Sequence, residues 1–361
     1  MPTRPRFSGG GTGPSVCHSR MLRAVMATRC ANWSIVRSIG KKITPLSVTE
    51  NSVTFMPGTS TEGILMTVAA QVSYPKTRRI SFRFGESESE DRYFANNDIA
   101  FSHTVAFLSA VFPPGEDIFV RSVRRYRDKI ADPDLKKRVA GFIGQEMTHG
   151  LHHRDLNKQL AEMGYPTAWF EYILNSTERM EKFLDEQYPD PDRCRRFRHL
   201  LLAFTVGAEH FTAVLAENVL SRPELQHMMT DPEIKNLLNW HAIEELEHKS
   251  VAFDVYRAIG GSETLRINMM RVLANIVIPV GVLSSWVSIL TTDPVGRKQP
   301  WRVLRETVGV VRGPLLRGFY REMKPFMRRG FHPDDIDTNA LLNEWQDKLF
   351  GVNGELVDHL R

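Results

Sequence analysis

The chain has 361 residues, 42% hydrophobic and 25% charged, which excludes a disordered protein and leaves room for one large or two medium domains. Its net charge of +5 comes from residues 1–65, where eight basic residues face two acids (Glu50 and Glu62). The remainder is close to neutral, so charge gives no sign of a nucleic-acid surface and no nucleic-acid partner is expected.

Three cysteines (Cys17, Cys30, Cys194) lie far apart with no Cys-x-x-Cys pair. A disulfide framework and a cysteine zinc site are therefore excluded, and a reducing, cytoplasmic setting fits. Residues 1–65 are Arg- and Ser-rich, with a flexible GGGTGPS run at 9–15. They are expected to be a disordered leader or an extension ahead of a start at Met66. A transit peptide is the alternative. The folded domain is expected over 66–361.

RRISFRF at 78–84 is the one plausible strand. From about residue 90 the apolar period is helical. Helices are expected over Asn97–Phe112, closed by Phe112-Pro113-Pro114-Gly115, and from Glu116 to about Ile130. Asp132-Pro133-Asp134 starts a long helix to about Met163, and Pro166 opens one to about Gln187. Asp190-Pro191-Asp192 starts one to about Ser221, and Asp231-Pro232-Glu233 one to about Ile259, where Gly260-Gly261-Ser262 breaks it. Further helices follow at about 263–291, at 301–328 (kinked or split by Pro314 and Pro325) and at 337–349. The fold class is all-α, with short loops joining antiparallel neighbours.

Two Glu-x-x-His pairs stand in mid-helix: Glu146 with His149 and Glu245 with His248. A carboxylate and an imidazole one turn apart share a helical face and can reach one metal ion. Two such pairs, each joined by a lone acid from another helix, make the pattern of a carboxylate-bridged dinuclear centre. Glu116 and Glu209 are the lone acids in the right chain order. The expected metal ligands are thus Glu116, Glu146, His149, Glu209, Glu245 and His248. Carboxylates with neutral imidazoles suit two divalent ions of iron, zinc or manganese. Each part alone has a plainer explanation. A single Glu-x-x-His is often a surface pair, and an acid at Glu116 also suits a helix N-terminus. His153 and His241, each four residues from a motif member, are further ligands or orienting partners. His152 is expected to point away. Glu244 could replace Glu245, and Glu247 and Lys249 read as a solvated face. No Gly-x-Ser-x-Gly elbow, GxGxxG or Walker loop is present, which argues against a serine hydrolase or a nucleotide enzyme.

Four stretches carry a family resemblance: NNDIAFSHTVAFLSAVFPPGEDIF (96–119), FIGQEMTHGLHHRDLN (142–157), GAEHFTAVLAE (207–217) and WHAIEELEHKSVAFDVY (240–256). As a set they resemble the bacterial predicted metal-dependent hydrolases, over roughly 75–350. The resemblance implies a ferritin-like bundle, here with additional C-terminal helices, and a metal-dependent hydrolase whose substrate is unknown. The ligand pattern itself also suits a non-haem di-iron oxidase or oxygenase. A metal-binding or storage protein without catalysis is the third reading.

Val272 to Thr292 holds no charged residue. As a helix it would span about 30 Å, enough for a bilayer core. Two readings stand: a helix apolar all round because it is buried, or one that inserts into or lies on a membrane. Trp301–Arg328 is basic and amphipathic, the kind of segment that lies on anionic lipid. The stretch 272–328 is therefore the candidate membrane contact. A small-molecule or lipid-like substrate is expected, and a homodimer is compatible with the sequence.

Overall fold

The computed structural model describes residues 74–85, 91–190 and 192–361; the expected leader, 1–65, lies outside them. Every regular element among the described residues is a helix, so the fold is all-α. Residues 78–84 form only one antiparallel bridge, Ile80 with Leu360, rather than a strand. A lone bridge leaves no ladder to extend.

The main helices are α1 (Ile99–Arg124), α2 (Pro133–Glu162), α3 (Thr167–Gln187), α4 (Arg195–Ser221), α5 (Pro223–Met228), α6 (Pro232–His248) and α7 (Val251–Ala258). After them come α8 (Glu263–Val272), a π-helical stretch Leu273–Val277, α9 (Ile278–Thr292), α10 (Pro300–Arg312), α11 (Phe319–Met323) and α12 (Asn339–Phe350). Asp–Pro starts recur because the Asp side chain caps free amides while Pro fits the first turn. Asp132 accepts from the Asp134 amide and Asp231 from the Ile234 amide. The Asp190-Pro191-Asp192 start is later than expected: α4 begins at Arg195, after Cys194 in a left-handed conformation (φ 55°). The long helix expected to end at Ile259 is interrupted at Lys249-Ser250. There the Lys249 ammonium leaves the helix to bind Ile336 O at 2.5 Å and Thr338 Oγ1 at 2.9 Å. Between 301 and 328 the helix splits, as Pro314 requires.

Four helices form the central bundle. α1 packs on α2 and α4, and α6 packs on α4 and α2. Their facing sides are apolar at each end, with Ile99, Val123, Val139, Phe142, Leu202 and Leu237 fully buried. Each such side chain contributes about 1.5–3 kcal/mol. α3 covers α1, while α8 and the π-helical stretch lie against α4. Gly207 in α4 permits this approach: a Cβ there would meet Leu273 Cδ1 at 2.5 Å.

α1 corrects one expectation outright. Pro113-Pro114 does not end the helix; both prolines lie inside it. A proline normally breaks a helix partly by orphaning the carbonyl four residues back. For Pro113 that carbonyl belongs to Ser109, and the Asn157 side-chain amide of α2 donates to it at 3.1 Å. The missing rung is replaced from the neighbouring helix. Glu116 is therefore well inside α1, not at an N-terminus, and the helix dipole no longer explains its presence.

Candidate metal centre

Each bundle helix aims acid or imidazole side chains at the axis: Glu116 from α1, Glu146 and His149 from α2, Glu209 from α4, and His241, Glu245 and His248 from α6. All seven are buried. They form two groups in which potential ligand atoms lie within 4.8 Å of one another: Glu116, His149 and His241, and Glu146, Glu245 and His248. Glu209 adjoins the second group, its Oε2 3.4 Å from His248 Nε2. Glu245 stands between the two. Its Oε1 is 2.9 Å from His241 Nε2 and 3.9 Å from His149 Nδ1, and its Oε2 is 3.6 Å from His248 Nε2. Gly150, one turn after Glu146, keeps the approach open, since a Cβ there would lie 3.2 Å from Glu116 Oε2.

The surrounding hydrogen bonds decide which ring nitrogen of each histidine carries its proton. Gln145 donates its amide to Glu247 at 2.6 Å, so its Oε1 faces His248 Nδ1 at 3.0 Å and must accept from it. His248 Nε2 faces Glu146, Glu209 and Glu245, 3.0 Å from Glu146 Oε1, and the proton it carries there is the one a cation would displace. Glu244 lies 3.0 Å from His149 Nε2, while Trp240 Nε1 and Arg78 hold it from behind. Burial pushes Glu244 up to about 8; once ionised beside Arg78 it accepts from Nε2, and His149 then presents the lone pair of Nδ1. The third chain is longer. Asn157 donates to Glu171 at 2.9 Å and to Ser109 O, and accepts the Ser109 hydroxyl at 2.8 Å. Ser109 Oγ then accepts from His153 Nδ1 (2.9 Å), and His153 Nε2 from His241 Nδ1 (2.7 Å). His241 Nε2 is thus also an inward lone pair. Three separate networks turn one nitrogen of each of the three imidazoles toward the same carboxylates, as outer partners do around a bound metal.

Both oxygens of Glu116 and Glu209, with Glu146 Oε2 and His149 Nδ1, are buried without a hydrogen-bond partner, while Glu146 Oε1 has only the His248 Nε2 contact at 3.0 Å. Native proteins rarely leave such atoms orphaned. Burial pushes Glu116 and Glu209 well above the usual carboxylate range, with neighbouring Glu146 and Glu245 adding to it, and burial raises Glu146 too. Burial also opposes charge on Glu245 and His248, but their mutual attraction prevails. It holds the carboxylate well below its ordinary value and the imidazole well above. Burial and the neighbouring His241 hold His149 well below the usual histidine value. Burying one unpaired carboxylate costs several kcal/mol, as much as two or three core leucines contribute. A cation among four of them removes that penalty, and the orphaned atoms are the atoms a cation would bind.

The structure brings together all six residues expected as ligands, and His241 with them. His153 lies outside the two groups, with both ring nitrogens already bonded. Glu244 does not replace Glu245; it orients His149. Glu247 is not on a solvated face either, since Arg78, Gln145 and Gln346 bind it at 2.5–2.7 Å. His152 packs edge-on against Phe82 and Trp240. Gln145, Ser109 and Asn157 went unnoticed in the sequence. Their only signal is a polar residue on the buried face of a helix.

Two cavities adjoin the centre. A chamber of about 70 Å³ is lined by His241 and Glu245. It shares Leu108, Phe112, Thr212, Leu215 and Leu315 with a cavity of about 920 Å³ between α1, α4, α9 and α10. Phe112 packs its ring 5.0 Å from both His153 and His241, and Thr212 donates to Glu245 Oε2 at 2.5 Å.

Compared with known proteins, residues 76–337 match the model of a family described as predicted metal-dependent hydrolase. No curated protein and no solved structure matches the chain.

Proposed function

The chain belongs to the family of predicted metal-dependent hydrolases, and from that premise we propose that it is a hydrolase working through a dinuclear centre on a ferritin-like bundle. The observation that carries this is the convergence of four buried carboxylates and three imidazoles, each with one ring nitrogen turned inward. Glu116, His149 and His241 would hold one ion, Glu146, Glu209 and His248 the other, and Glu245 would face both. Four carboxylates against two divalent cations make a neutral core, which is the arrangement cheapest to bury. Ions bound there supply Lewis acidity toward a scissile carbonyl or phosphoryl group and lower the pKa of a water to about 7.

The chain's own residues do the rest. Gln145, Glu244 and His153 fix the tautomers of the three ligand histidines. Thr212 holds one oxygen of Glu245. Phe112 stands between the centre and the large cavity and limits solvent entry. The apolar surroundings also suit a second reading, an oxidase or oxygenase with two irons, since a carboxylate-rich centre beside a hydrocarbon-lined space fits oxygen chemistry.

Elemental analysis with an absorption spectrum of the full chain tests both. About two zinc or manganese ions per chain, no colour, and turnover of chromogenic esters or phosphates without oxygen support hydrolysis. About two irons with a near-ultraviolet oxo-bridge band, and oxygen uptake on adding reductant, support the second reading. His149→Ala and His248→Ala should each lose most bound metal; full metal in both would sink the ligand assignment.

A further inference from the structure

Among the described residues two helical stretches are long and apolar enough to cross a membrane, Arg195–Ser221 and Glu263–Thr292. The first contains α4, a core helix, 72% buried over its apolar window; the second is only 22% buried over its window. Its outward residues Ile276, Val280, Leu283 and Val287 recur every three or four positions and are about half exposed. α10 beside it repeats the pattern with Trp301, Leu304, Val308 and Val311, Trp301 being 80% exposed. Two neighbouring helices thus present apolar stripes to solvent, which monomeric soluble proteins seldom do.

The charge around these stripes has one sign. Between 297 and 329 the chain carries ten basic residues and two acids, Glu306 and Glu322. Exposed Arg297 and Lys298 join the two helices, and exposed Arg305 and Arg312 each follow a stripe residue. The π-helical stretch and α9 together, Leu273–Thr292, are tied back to the body at both ends. Leu273 packs against Gly207, and buried Asp293 binds Tyr93 at 3.0 Å, Arg92 at 3.1 Å and His103 at 3.2 Å.

The inner side of the same helix lines the large cavity, whose walls hold no charged residue and no amide side chain. Val280, Leu283 and Val287 line the cavity and are also exposed, as is Trp169 on the α3 side. The cavity therefore opens along α9. Its volume sits near the top of the range of about 300–1,000 Å³ usual for ligand sites. Its inner end meets the chamber of His241 and Glu245.

We propose that α9 and α10 seat on an anionic bilayer and that the cavity takes the hydrocarbon chain of an amphiphile drawn from it, polar end toward Glu245 and His241. The position of the polar end rests on the metal reading; the chain-binding cavity and the bilayer seat do not. Walls that are mostly apolar, with only scattered hydroxyls and the Trp169 and Trp286 indoles for polar groups, accept a hydrocarbon chain and offer no charged partner to a polar ligand. Basic residues around an apolar stripe are what anionic interfaces attract.

The full chain should co-sediment with phosphatidylglycerol-rich vesicles more than with phosphatidylcholine vesicles, and less so as salt rises. The double variant V280E/L283E should weaken this about tenfold or more, with unchanged helicity and metal content. The fluorescent fatty acid cis-parinaric acid should bind the wild type. It should bind Thr104→Trp or Val111→Trp about tenfold less, both residues lining the cavity. Binding retained in His248→Ala would separate this proposal from the metal assignment. Three results would overturn it: no preference for anionic vesicles, full vesicle binding by V280E/L283E, or equal fatty-acid binding by the cavity variants. A concentration-dependent dimer that V280E/L283E dissolves, without vesicle binding, would assign the apolar face to a second copy of the chain instead.

Discussion

In the bundle of α1, α2, α4 and α6, four carboxylates are buried among apolar side chains; in the α9–α10 layer, valines, leucines and a tryptophan stand in solvent. The first region places charge where water is excluded, and the second places hydrocarbon where water is abundant. Each arrangement is costly by itself, and each cost disappears with one kind of partner: a cation for the first, a hydrocarbon phase for the second. The difference teaches that the two regions are read from opposite departures. Buried carboxylates and imidazoles mark one site and exposed stripes the other. They meet at Phe112 and Thr212, which border both the chamber of His241 and Glu245 and the cavity beneath α9.

The comparison breaks most readily at Glu245. Its two oxygens face different histidine groups, so Glu245→Gln should empty both. The loss of metal affinity should exceed the roughly 10–100-fold that a mere supporting partner costs. A full metal complement in that variant, measured by elemental analysis, would mean that the buried charge serves the fold alone. A second test uses pH on chelated protein. Glu116 and Glu209 have folded pKa values raised well above the ordinary carboxylate value, and His248 is raised above its own. From neutral pH upward the native state therefore holds more protons than the unfolded chain, and stability must fall as pH rises. Below about pH 6.5 the sign reverses for His149 and His153, whose values are lowered, because the unfolded chain takes up their protons first. Thermal melts in chelator should show a midpoint that drops by several degrees from neutral to alkaline pH. Metal-loaded protein should show little change over that range. The smallest effect belongs to the outer region. Trp301→Ala should alter stability by no more than about 0.5 kcal/mol, as exposed positions do, yet weaken vesicle binding measurably. A large loss of thermal stability would show that Trp301 packs within the protein instead.

The helix order and the two Glu-x-x-His pairs were legible because both depend on local spacing. Glu146 with His149, and Glu245 with His248, share a face whatever surrounds them. His241 was visible by the same rule but ambiguous, since position i−4 fits a ligand or a support equally well. What decides between His241 and His153 is the direction of a hydrogen-bond chain ending at Asn157 and Glu171, and no spacing encodes direction. The continuity of α1 was hidden for a related reason. Two prolines end most helices, and only the Asn157 amide, 44 residues further on than Pro113, replaces what Pro113 removes. Glu244 and Glu247 were misplaced because Arg78, the residue that buries them, lies outside the helical bundle in the segment before α1.

Pro113 and Pro114 carry a mechanical implication. The helix lacks two consecutive amide donors there, and the Asn157 link that stands in for one of them comes from another element. Flexing α1 at this point strains fewer internal bonds than flexing it anywhere else along its length. Phe112 lies immediately before the weak point, against the cavity, and Glu116 lies two residues after it, against the centre. The aromatic partition and the carboxylate sit on opposite arms of one joint, so a ligand that displaces the ring also applies torque to the arm that carries Glu116.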